Sequence, residues 1–134
     1  MRPRKQPPPA SSAPRELEAC EFALRAACIA ADQKTADIEV LDLRGLSHFA
    51  DYFVLGTGTS DRQMHAVLDF IEEFARSAGR KAYRVANSRE AYWLLADYID
   101  VVIHLFDEEH RDYYDLSSLW GDAPRVPWEP TRVR

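Results

Sequence analysis

Apolar residues in the first third of the chain recur at helical spacing. Leu17, Cys20, Leu24, Ala27, Cys28 and Ala31 fall on one stripe, with Glu16, Glu18, Glu21 and Arg25 mostly elsewhere. That spacing predicts a helix over 15–33. The stretch DIEVLDL (37–43) then alternates, which predicts a strand, and Gly45 and Ser47 break the chain after it. DYFVLGTG (51–58) is a β-branched and aromatic run closing in glycines, the pattern of a buried strand. Ser60 followed three positions on by Gln63 forms a capping box. Met64, Val67, Leu68, Ile71, Phe74, Ala75 and Ala78 follow on one stripe, so a second helix is predicted over 61–78 with Gly79 as its stop. RKAYRVA (80–86) predicts a short strand. AYWLLADY (91–98) and DVVIHLF (100–106) are two more, so close that only Ile99 and its flanking acids can turn between them, as in a hairpin. Residues 108–120 predict a short helix or turn.

The order α-β-β-α-β-β-β predicts an α/β (α+β) fold with a mixed five-stranded sheet and helices packed on it. Both faces of the inner strands are apolar, which predicts cover by the two helices. The domain is expected over 15–122. The Pro-, Ser- and Ala-rich start, residues 1–14, reads as a disordered basic tail, with an organelle transit peptide as the less favoured alternative because PPP opposes an amphipathic helix. Pro124, Pro127 and Pro130 make 123–134 an irregular C-terminal tail.

Charge sharpens the picture once it is divided along the chain. Arg2, Arg4, Lys5 and Arg15 give the first fifteen residues +4, leaving 13 basic against 22 acidic residues, a net −9, in the remainder. A body this acidic repels phosphate backbones and favours a basic partner. No run approaches the roughly 20 apolar residues that span a bilayer, and no charged-then-apolar leader stands at the start, so a cytoplasmic protein without membrane contact is expected. Cys20 and Cys28 lie about 12 Å apart along a helix, beyond the ~7 Å a disulfide tolerates. They read as reduced, small core residues.

The candidate chemistry is sparse. GTGTSDR (56–62) joins a strand to a helix N-terminus and could cradle an anion. It lacks a third glycine for a dinucleotide fingerprint and a Lys-Ser/Thr for a phosphate loop, so a sharp turn before a capped helix is the favoured reading. Asp97 and Asp100 sit around a tight turn rather than converging, and no Asp-x-Asp occurs in the chain. His48, His65, His104 and His110 show no zinc spacing. His104, between Val102 and Phe106, reads as a hydrogen-bonded core or edge histidine. No catalytic residue, metal ligand or cofactor is expected, and the enzyme reading is disfavoured. The aromatic residues are more informative: Tyr92, Trp93, Tyr98, Tyr113, Tyr114, Trp120 and Trp128 crowd the last third. Tyr92 and Trp93 are neighbours on a strand and point to opposite faces, so one is exposed if either face is uncovered. Such residues dominate interface hot spots, and an exposed aromatic face is also suited to pairing two copies as a homodimer.

DYFVLGTGTSDRQ (51–63), then WLLADYIDVVIHLF (93–106), then RDYYDLSSLW (111–120) closely resemble the Iojap-like ribosomal silencing factor family. The resemblance covers about 35–122 and rests on three ordered motifs. It implies a nucleotidyltransferase-like fold without catalytic acids. It implies binding to the large ribosomal subunit through its basic L-fourteen protein, no sequence-specific nucleic-acid contact, and a steric block to subunit joining that represses translation. Carried onto this sequence, it implies a partner-binding surface of Trp93 and Leu94 as apolar anchors, with Asp97, Tyr98 and Asp100 as acidic and polar neighbours. Organelle relatives imply an alternative role in ribosome assembly; a residual nucleotidyltransferase using the glycine turn is the enzymatic alternative. The sequence departs from the family pattern at four places. Ala86 and Asn87 stand where Glu-Gly is usual, and Asn87 is expected to keep a turn there. Ile99 replaces a turn glycine, which predicts a longer or differently shaped loop because β-branched residues resist positive φ. Ser117 stands for a usual Glu.

Overall fold

The computed structural model describes residues 18–87 and 92–129; the basic tail expected over 1–14 lies outside them. Helix α1 (Ala19–Asp32) buries Phe22 within an alanine-rich face of Ala23, Ala26, Ala27 and Ala30. These small side chains let it lie close on the sheet and on helix α2 (Asp61–Ser77), where Phe22 stacks on Phe74 with ring centroids 6.2 Å apart. The α2 cap is half of the expected box. Ser60 Oγ accepts from the Gln63 N–H at 3.0 Å. The Gln63 side chain instead accepts from Thr59 N–H at 3.1 Å and donates to the Gln33 carbonyl at 2.6 Å, tying the start of α2 to the end of α1. Past the helix, Gly79 takes φ +80°, the left-handed stop that glycine adopts without steric cost.

Strands β1 (Ala36–Asp42), β2 (Tyr52–Thr57), β3 (Arg84–Asn87), β4 (Trp93–Asp97) and β5 (Val101–Phe106) form one sheet in the order β1-β2-β5-β4-β3. β2 and β5 pair in parallel and the other neighbours antiparallel, so the sheet is the mixed five-stranded one expected, and the fold is α+β. β5 is central and buried throughout. Ala86 and Asn87 form no turn: both lie in β3, opposite Leu95 and Leu94, because the strand starts four residues later than its hydrophobic pattern indicates.

Expected cover by the two helices on both faces is corrected. α1 and α2 share one face, over a core that includes Val40, Val54, Leu94, Ala96, Ile103 and Leu105. The other face is divided. Its β1–β2 half is covered by α3 (Glu108–Tyr114) and α4 (Leu116–Leu119) together with the chain after them, around Leu41, Leu43, Leu55 and Ala123, with Phe53, Leu116 and Trp120 packed alongside. α3 and α4 divide at Asp115, which takes φ +50°. Residues 124–128 lie along the outer edge of β1. Asp42 N–H donates to the Pro124 carbonyl at 2.9 Å and Val126 N–H to the Val40 carbonyl at 2.8 Å, while Trp128 Nε1 donates to the Ile38 carbonyl at 3.2 Å. The segment covers the unpaired backbone of an edge strand.

The turn between β4 and β5 overturns the expectation at Ile99. The loop is not longer; Ile99 itself adopts φ +78°. Asp100 N–H donates to the Tyr98 carbonyl at 3.0 Å and Tyr98 N–H to the Val101 carbonyl at 2.8 Å. Asp97 Oδ1 accepts from the Ile99 N–H at 2.8 Å. Three hydrogen bonds over-determine the backbone and hold a conformation that the side chain disfavours. Among the described residues no helix is long and apolar enough to cross a membrane.

Candidate partner-binding face

Strand register builds a half-open surface on the side away from α1 and α2. Trp93 lies opposite Phe106, Leu95 opposite His104, and Asp97 opposite Val102. Outward along β3, Ala86 lies opposite Leu95 and Arg84 opposite Asp97. Directly paired residues share a face, so these form one continuous patch. Helix α3 covers one end of it, while Leu95, Ala86 and Asp97 are half-exposed.

Trp93 anchors the patch. Its ring stacks on Phe106 at 5.2 Å and meets Tyr114 of α3 at 4.6 Å. Its Nε1 donates to His104 Nδ1 at 3.2 Å. His104 is 5 % exposed, and the Phe53 ring meets it edge-on at 4.5 Å. Burial alone pushes its pKa down to about 3, so the imidazole is neutral at physiological pH. Nearby, Tyr92 stacks on His110 at 3.8 Å, and Asp107 Oδ1 lies 2.8 Å from His110 Nδ1. Glu108, Glu109, Asp112 and Tyr113 of α3 are exposed, and Arg84 is exposed on the open face beside Asp97.

The five residues assigned to the contact from sequence do not lie together. Trp93 and Asp97 are on the open face. Leu94 is 1 % and Tyr98 4 % exposed; both point the other way, into the core under the helices. The period-two pleat is the reason: Trp93 and Leu94 cannot share a face. The Tyr98 ring meets Phe22 at 4.9 Å, and burial raises its hydroxyl pKa to about 12. As solvent-facing contacts, Leu94 and Tyr98 are therefore corrected to core residues. Asp100 is held within the fold by Arg80, in two hydrogen bonds of 2.7 and 3.1 Å; that guanidinium lies 4.9 Å above the Phe22 ring. Asp97 carries a weaker internal pairing, with Arg84 at 4.0 Å. Sequence reasoning passed over Leu95, which the same alternation places beside Trp93 and Asp97. It also passed over Arg80, whose role depends on a distant segment; Tyr114 was counted among the late aromatics, but its contact with Trp93 was not foreseen.

The remaining motifs are structural in their contacts. A Cβ on Gly58 would stand 2.1 Å from Met64 Cγ, and one on Gly56 2.6 Å from Thr35 Cγ2, so these glycines admit close packing of neighbouring side chains. Ser117 Oγ donates to Glu39 at 2.6 Å, and Arg111 lies 3.5 Å from the same carboxylate. A Glu at 117 would face Glu39 there. Cys20 and Cys28 are free thiols. Among the described residues no three His, Cys, Asp or Glu side chains converge on a metal-sized site.

A small α+β domain with one sheet face partly uncovered and aromatic at its centre has the architecture of an interaction domain. A family model described as "Ribosomal silencing factor during starvation" matches residues 16–134. The ribosomal silencing factor of Bacillus subtilis (strain 168) is 43% identical over 102 residues, 75% of this chain and 86% of that protein. The mouse protein named "Mitochondrial assembly of ribosomal large subunit protein 1" is 32% identical over 91 residues, 66% of this chain and 40% of that longer protein. A crystal structure from Chromobacterium violaceum superposes with a TM-score of 0.74 at 29% identity, covering 86% of this chain and 95% of that one. The chain belongs to the ribosomal silencing factor family.

Proposed function

We propose that this protein binds the large ribosomal subunit through its basic L-fourteen protein and blocks subunit joining sterically, repressing translation in the cytoplasm without catalysis. The open sheet face carries the proposal. Trp93 packs against Phe106 and Tyr114, Leu95 and Asp97 continue its column, and α3, which covers one end of the face, carries exposed acids. A rigid aromatic anchor supplies affinity at low entropic cost, and the acids steer a basic partner into place. Exposed charge pairs contribute only ~0–1 kcal/mol each, so the anchor dominates. Leu94 and Tyr98 act as the support behind that face, and Asp100 acts through the Arg80 pair that fixes the turn.

Co-sedimentation with large subunits tests this. Trp93→Ala is expected to lose binding while its thermal melt still shows a cooperative fold; a folded variant that binds unchanged moves the contact elsewhere. The name of the mouse relative favours a second reading, assembly of the large subunit using the same face. In a deletion strain, accumulation of precursor subunits would support assembly, and persistent translation during starvation would support silencing.

A further inference from the structure

We propose that His104 is the positioning residue for Trp93: its Nδ1 holds the indole N–H, so that a partner meets the ring surface in one fixed orientation. This deepens, and rests on, the reading of Trp93 as the anchor of a ribosome-binding face.

An indole nitrogen only donates, so His104 Nδ1, 3.2 Å away, is the accepting, unprotonated nitrogen. The ring proton then sits on Nε2. That atom is buried and finds no hydrogen-bond partner among the described residues. A buried donor without a partner costs stability. The site itself is apolar: Val102 and Phe106 flank His104 along β5, and Phe53 packs on it. A leucine or phenylalanine would suit such a site better on packing grounds alone. What histidine adds is an acceptor placed diagonally across the strand pair from Trp93, within reach of a long side chain. Burial keeps the imidazole neutral, so the acceptor persists through mildly acidic conditions.

Two consequences follow for recognition. The indole N–H is already used inside the sheet, so the partner reads Trp93 by apolar and cation–π contact rather than by a hydrogen bond, which fits a Lys- or Arg-rich surface. Without the acceptor the indole would populate several orientations. Apparent affinity falls by the fraction of molecules in the competent one, about twofold to sixfold for two to six equally populated rotamers.

Two variants separate positioning from plain stability. His104→Phe fills the apolar site and removes the acceptor. His104→Asn leaves an amide oxygen near the position of Nδ1 but packs worse. Each is measured by urea denaturation, by solvent exchange of the Trp93 indole N–H in ¹H–¹⁵N NMR spectra, and by large-subunit co-sedimentation. The Phe variant is expected to be the more stable of the two, yet to lose indole protection and bind about twofold to sixfold more weakly than wild type. The Asn variant should keep both protection and binding. Wild-type-like protection and binding in the Phe variant, or binding that simply follows stability across the pair, would overturn the proposal. Failure of the wild-type protein to co-sediment would instead overturn the ribosome-binding reading, while indole exchange would still decide whether His104 holds Trp93.

Discussion

Lowering the pH from 7 to 5 should destabilise this protein through His104. The imidazole titrates near 6.5 when unfolded, and burial holds it to about 3 in the fold, with no charged neighbour contributing. Between those values the unfolded chain takes up a proton that the folded chain refuses. Stability is therefore full above about pH 6.5 and falls as pH drops, by at most ~1.4 kcal/mol per pH unit, until the folded group itself protonates near 3. From pH 7 to pH 5 the loss amounts to about 2 kcal/mol, a sizeable share of the ~5–15 kcal/mol that holds a domain together. Asp42, whose carboxyl is lowered chiefly by its hydrogen bond from Arg44, contributes stability that is lost only at pH values below this window. Urea denaturation at pH 7, 6 and 5 measures the slope, and His104→Phe provides the control. That variant removes the orphaned Nε2 but leaves the Trp93 N–H without its acceptor, so at pH 7 its stability should lie within ~1 kcal/mol of wild type. At pH 5 it should be the more stable protein. Parallel pH profiles for the two proteins would instead mean that His104 is no more desolvated in the fold than in the unfolded chain.

Other perturbations probe the elements around the face. Ile99→Gly should raise stability by about 0.5–1 kcal/mol, because it relieves a β-branched residue at positive φ while adding some unfolded-state entropy; a lower urea midpoint would show that Ile99 contributes packing that its 62 % exposure conceals. Asp100→Ala should cost about 2 kcal/mol, since it strips the bidentate carboxylate from Arg80, which is only 7 % exposed; a change under ~0.5 kcal/mol would mean that solvent compensates. Val126→Pro removes the donor that pairs with the Val40 carbonyl, so it should cost ~1 kcal/mol and bare part of the β1 edge. Sedimentation velocity should then show concentration-dependent self-association, and a strictly monomeric variant would argue against edge protection by this segment.

The order and type of the elements were legible because their signals are local. A helical stripe of apolar residues, an alternating run, Ser60 before α2 and the brevity of the 97–101 link each act over a few neighbours, and each was matched in the structure. The acidic balance and the crowd of late aromatics were equally plain, and they pointed to a binding surface. The family was legible too, through its three motifs. The membership of the surface was misread at Leu94 and Tyr98, where the pleat that separates them from Trp93 was known but the side left open was not.

That choice belongs to the tertiary structure. Alternation assigns each strand residue to one of two faces, but which face is covered depends on where α1, α2, α3 and the chain after α4 come to rest. α1 and α2 prefer each other's company, Phe22 against Phe74, and so leave the opposite face to shorter elements that cover only part of it. Likewise Arg80 meets Asp100 across 20 residues, and His104 meets Trp93, only because strand register and helix placement bring them together. Local periodicity sets what each segment becomes, whereas long-range packing decides which side chains are left for a partner.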